Sequence, residues 1–186
     1  MDGKETERPA DADDYQIKGM DVLLREDCIV GRFHPLIPYK KQLLSGLSDR
    51  GCLTKNACAA LSDEDLIRAG LPDENMVTLF RRFLRLYDHK GKGRKDVPDA
   101  EHRTEEEVTS LLELMRLPGV KAIRAQLYFH CGMRTLSDFA AADAEQLRAR
   151  ITDVITGEKL PFSPPQPKEL RTQIAVAKVF TEFAVN

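Results

Sequence analysis

The chain has 186 residues, 42% of them hydrophobic and 31% charged, with a formal net charge of −2 and no tryptophan. Such a composition excludes a disordered chain, and a near-neutral charge excludes a protein drawn to nucleic acid or anionic membrane by its overall field. No apolar run approaches the roughly 18 residues of a membrane span, and the acidic start MDGKETERPADADD lacks the basic and apolar regions of a secretion signal. No membrane partner is therefore expected. Cys28, Cys52, Cys58 and Cys131 are scattered, with no C-x-x-C pair. They point to a reducing, cytoplasmic setting rather than to a disulfide framework.

In chain order, residues 1–14 read as a disordered acidic tail, with no large apolar residue to anchor them. A short helix is expected over 21–29, followed by breaks at Pro35 and Pro38. A helix over 39–48 closes at Gly51, and a shorter one runs from Thr54 to about 60. Ser62-Asp-Glu-Asp65 is an S-x-x-D start for a helical turn that stops at Gly70. Pro72-Asp73-Glu74 opens a longer helix, on which Met76, Leu79, Phe80, Phe83, Leu84 and Tyr87 form one stripe. Residues 89–100, with two glycines, a proline and several cations, read as a basic linker between a first module at 15–88 and a second at 101–186. Thr104-Glu-Glu-Glu107 is a capping box for the next helix. A turn at Leu117-Pro118-Gly119-Val120 leads into a helix over 123–131, capped by Gly132. Helices over 136–142 and 143–155 follow, then a proline-rich stretch and a last amphipathic helix over 168–184. Val176 and Val179 lie beside the main stripe of that helix, fitting either packing on its own domain or contact with a partner. No alternating strand pattern occurs, so the fold class is all-α.

At an offset of 81 positions, Lys40, Gly51, Thr54, Ala59, Ala60, Glu64 and Leu66 recur as Lys121, Gly132, Thr135, Ala140, Ala141, Glu145 and Leu147, seven identities in 27 positions. That period is too long for a solenoid unit and predicts two small helical bundles in tandem.

Within the second copy, Arg116-Leu-Pro-Gly-Val-Lys-Ala-Ile-Arg-Ala-Gln-Leu127, followed by Gly132, Thr135, Asp138, Asp143, Glu145 and Leu147, resembles a helix-hairpin-helix (SAM-like) module. It is similar to small bacterial and archaeal domains of unknown function built on that motif, to the N-terminal domain of RecA-like recombinases and to the C-terminal domain of the RNA polymerase α subunit. The resemblance implies phosphate binding by backbone N–H groups at a hairpin between two glycines, independent of base sequence and sensitive to salt. Gly119 matches the first hairpin glycine, and Lys121 stands at the second. The first copy, Leu36-Ile-Pro-Tyr-Lys40, has no hairpin glycine and is not expected to bind phosphate in this way.

On this resemblance the nucleic-acid-contacting residues are Gly119, Val120, Lys121, Arg124 and Arg134, joined by Arg85, Lys92, Arg94 and Lys95 of the basic connector. The connector run Arg81, Arg82, Arg85, Lys90, Lys92, Arg94, Lys95 fits either a phosphate track or a solvated face. No zinc-ligand spacing, nucleophile–base pair or phosphate loop is found: Gly91-Lys-Gly-Arg-Lys lacks the P-loop spacing, and His130 and Cys131 are helix neighbours that point apart. No enzyme, metal or cofactor is expected. Two functions stay open: a non-enzymatic DNA-binding or scaffolding protein acting through the Gly119 hairpin, and a protein–protein adaptor whose hairpins are purely structural.

Overall fold

The structure is a computed structural model, and it describes residues 13–88 and 92–185. Residues 1–12 of the expected tail and 89–91 of the expected linker lie outside them. The described residues form ten α-helices and three 3-10 helices with no strand, an all-α fold. The α-helices are α1 (Ile17–Leu23), α2 (Lys40–Asp49), α3 (Lys55–Ala59), α4 (Asp63–Arg68), α5 (Glu74–Arg85), α6 (Glu105–Leu114), α7 (Ala122–His130), α8 (Leu136–Ala141), α9 (Ala144–Gly157) and α10 (Pro167–Glu182).

Most helix starts follow from local capping chemistry. Thr54, Ser62, Asp73, Thr104, Thr135 and Asp143 each accept a backbone N–H of the first turn, satisfying donors that a helix start leaves unpaired. Gly51 and Gly132 end α2 and α7 with φ of 72° and 84°. Behind each, the next residue bonds back to a carbonyl five positions earlier, Cys52 to Leu47 and Met133 to Tyr128, both at 3.0 Å. These are Schellman caps, and the left-handed glycine makes them possible.

Three expectations need correction. The first helix spans 17–23 rather than 21–29. Ile17, Met20 and Leu23 line its buried face, and Gly19 sits so close to α10 that an added Cβ would come within 2.9 Å of Val179 Cγ1. The 31–39 segment is not a mere break: it is a 3-10 helix, Gly31–Tyr39, in which Pro35 and Pro38 remove the donors an α-helix would need. The acidic tail does not extend to 14. Asp14 is buried, its carboxylate accepts the N–H groups of Tyr15 (3.0 Å) and Asn56 (2.9 Å), and Asp13 pairs with Arg116 at 3.1 Å.

Residues of both halves contribute to one contiguous apolar core. α10 is its centre: it packs against α8, α9 and α1, and nine of its 16 residues are buried. The apolar positions beside its main stripe, Val176 and Val179, are thus covered by this chain itself. Backbone bonds from Gln16 to Phe183 (2.8 Å), Ile17 to Leu53 (2.9 Å) and Lys55 to Tyr15 (2.8 Å) stitch the start of the fold to its end and to the α2–α3 connection. The connector is also part of the fold, with Val97 and Ala100 buried and short 3-10 turns at Arg94–Asp96 and Ala100–His102. No described helix is long and apolar enough to cross a membrane.

All four cysteines are free and buried. Burial pushes the Cys58 thiol up to about 12 and raises Cys28 and Cys131 as well. The Tyr15 and Tyr128 hydroxyls are raised by the same cause. A folded thiol that keeps its proton to about pH 12, against about 8.5 in the unfolded chain, means that the folded state holds the extra proton between those values. Stability should therefore fall as pH rises above about 8.5. We expect a lower urea midpoint at pH 10 than at pH 7.5, and native Cys58 left unalkylated at pH 8 under conditions that label it rapidly in denaturant. Rapid native labelling would contradict this.

Candidate functional site

The hairpin expected to meet phosphate is a tight turn closed by Val120 N–H to the Leu117 carbonyl at 3.1 Å. Gly119 is exposed with φ 73°, and open space lies where its Cβ would be. Val120 is buried instead, anchoring the start of α7. The Pro118 carbonyl accepts from the side chain of Gln173 at 3.1 Å, tying the turn to α10. Lys121 is the N-terminal cap residue of α7, exposed and making no side-chain cap. Arg124 donates to the Ser163 carbonyl at 3.1 Å.

The other expected contacts fall elsewhere. Lys92 donates to the Met115 carbonyl at 2.7 Å, capping the end of α6, while Arg94 pairs with Glu105 and bonds the Ala100 carbonyl at 2.8 Å. Both cations are thereby engaged in the fold. Lys95 is exposed. Arg134 lies beyond the far end of α7, its guanidinium 3.8 Å from the centroid of the Phe129 ring. Arg85 sits on the last turn of α5, in company with Arg82 and Arg32. The structure therefore brings Gly119, Val120, Lys121 and Arg124 together on one turn and helix start. The remaining candidates belong to other neighbourhoods.

A groove that the sequence reading did not find runs along the outer face of α7. Its volume is about 480 Å³, and its apolar lining comes from Ile123, Leu127, Phe129, Leu160 and Phe162. Ile123 is 62% exposed and Phe162 37%, among the largest apolar exposures of the described residues. α7 buries Ala125, Leu127 and Tyr128, and Ile123, one turn before Leu127 on the same side, carries that apolar face out to solvent, so the sequence pattern alone did not set it apart. The rim is charged. His130 and Glu158 pair at 2.8 Å across one edge. Arg134 and Arg103 also line the groove, the latter donating to the Pro98 carbonyl at 3.0 Å rather than to a carboxylate. Among the described residues no group of three or more His, Cys, Asp or Glu side chains is placed to hold a metal ion. Comparison with protein families, with curated proteins and with solved structures gives no match.

Proposed function

We propose that the protein is a non-enzymatic adaptor built from two diverged copies of a helix-hairpin-helix (SAM-like) module, and that the α7 groove takes an acidic amphipathic helix of a partner protein. The parallel glycine and threonine caps 81 positions apart support the duplication. The observation that carries the function is the exposed Ile123–Phe162 surface under a rim where Arg134 faces a ring and Arg103 a carbonyl, leaving positive charge for a partner's carboxylates. An amphipathic helix would set its apolar face on that floor and its acids on the rim. The nucleic-acid reading loses the charge of Arg94 to Glu105, while Lys92 and Arg124, bonded to neutral carbonyls, keep their charge but have donors committed to the fold. It keeps one observation in its favour, the open Gly119 turn beside the exposed Lys121.

Fluorescence anisotropy separates the two readings, using a leucine- and glutamate-based amphipathic peptide, its lysine counterpart and a DNA duplex. The acidic peptide is expected to bind, and Ile123→Glu to weaken it by about tenfold or more through lost apolar burial. That variant places an acid in the first turn of α7, where the helix dipole favours it, so folding should survive. Salt-sensitive duplex binding abolished by Lys121→Glu, with no peptide binding, would replace the adaptor reading with the nucleic-acid one.

A further inference from the structure

A second cavity, of about 440 Å³, is lined by Arg32, Arg82, Arg85 and Leu86. It lies at the seam between the Gly31–Tyr39 helix and α5, where Phe33 meets Phe83 edge-on with centroids 5.6 Å apart. The residue before each of those phenylalanines is an arginine, and Arg85 follows Arg82 by one helical turn on the same face. That seam gathers three guanidiniums around one opening.

The surroundings leave these charges unanswered. Arg81, next in sequence, is bound to Asp63 and to the carbonyls of Ala59 and Leu61. Asp88, just beyond α5, is committed to Lys55, and Asp27 to Arg25. Among the described residues no carboxylate pairs with Arg32, Arg82 or Arg85. The dipole of α5 favours cations in its last turn and accounts for Arg82 and Arg85. It does not account for Arg32, which stands in the first turn of its own helix, the end that disfavours a cation, and adds like charge to the other two. Its guanidinium lies 5.0 Å from the centroid of the Phe33 ring, which holds it in place as a planar donor.

We infer that Arg32, Arg82 and Arg85 form a binding site for a phosphomonoester group. Several guanidinium forks converging on one cavity match the oxygens and nearly two negative charges of a terminal phosphate. A phosphodiester backbone carries one charge per phosphate and needs an extended track. This site stands independently of the α7 groove.

Titration of the full chain with phenyl phosphate, followed by NMR shifts, is the first test, with dimethyl phosphate as the diester control. Phenyl phosphate is expected to bind and dimethyl phosphate not to. Arg32→Gln and Arg82→Gln should each weaken binding by about tenfold. Arg68→Gln, whose parent pairs with Glu64 and Asp65, should change nothing. Melting temperatures supply the second readout: removing one of three like charges should leave stability equal or higher, whereas a purely structural role would lower it. A phosphoserine peptide and its unphosphorylated twin then identify the source. Tighter binding of the phosphopeptide than of phenyl phosphate assigns the group to a partner protein, and equal binding to a small phosphorylated molecule. No monoester binding, equal binding of the diester, or duplex DNA binding lost in the same variants without competition from phenyl phosphate would each overturn the assignment.

Discussion

Gly46→Ala is expected to cost the protein about 3 kcal/mol or more, although an alanine inside a helix normally gains up to about 1 kcal/mol over glycine. Gly46 lies on α2, where a Cβ would stand 2.1 Å from the carbonyl oxygen of Ala69, 2.7 Å from its carbon and 2.8 Å from its Cα. These are backbone atoms at the end of α4 and cannot swing away as a side-chain tip would. The neighbouring Gly70, at φ 129°, makes the reciprocal approach, its position for a Cβ being 3.1 Å from backbone atoms of Gln42 and Leu43. Two glycines thus interlock two backbones. Alanine at 46 must part α2 from α4, whose fully buried Leu43, Leu47 and Leu66 belong to the common core. Urea unfolding of Gly46→Ala beside Gly157→Ala tests this. Gly157 ends α9 with nothing within 4 Å of its Cβ position and should tolerate the change. A Gly46→Ala protein as stable as wild type would refute the interlock.

What the sequence made legible was local. The caps at Thr54, Ser62, Thr104 and Thr135, the glycine stops and most of the α5 stripe depend on residues within a turn of one another, so pattern reading finds them. On α5 the structure buries Val77, outside the expected stripe, and leaves Met76 and Leu79 half-buried. The shift of α1 was not legible, because a helix carrying Gly19 has poor propensity and is selected by the closeness of Val179. The connector reads as a basic run fitting either a phosphate track or a solvated face, since nothing local shows that Lys92 reaches Met115 or that Arg94 reaches Glu105. The α7 groove needs the stretch after α9 to return beside Ile123, and the arginine cavity needs Arg32 to meet a helix some fifty residues later. Charge counted along the chain grouped Arg81 with Arg82 and Arg85. In space, Arg81 turns to Asp63 and the other two join Arg32.

Gln173→Leu is expected to be the most damaging polar change in the core, costing about 2–5 kcal/mol. Gln173 is fully buried on α10. Its oxygen accepts the Tyr128 hydroxyl at 2.7 Å, and its amide nitrogen donates to the Pro118 carbonyl at 3.1 Å and to Glu169 at 3.3 Å. One side chain therefore ties α10 to both ends of the hairpin unit, the turn before α7 and the last turns of α7. Leucine fills the volume but leaves a buried phenol and a turn carbonyl without partners, and such unmet groups cost about 1–3 kcal/mol each. Tyr128→Phe alone removes a single bond and should cost less. Combining it with Gln173→Leu should cost less than the sum, because the second change removes the group the first had stranded. Full additivity in a double-mutant cycle would show that the two side chains are not coupled. The same variant reaches function. With Pro118 released, the start of α7 loses its link to the core, and the acidic peptide should bind the Ile123 groove more weakly at a temperature where the variant is still folded. Unchanged peptide affinity in a destabilised Gln173→Leu protein would separate the groove from the hairpin and leave α7 held by its apolar face alone.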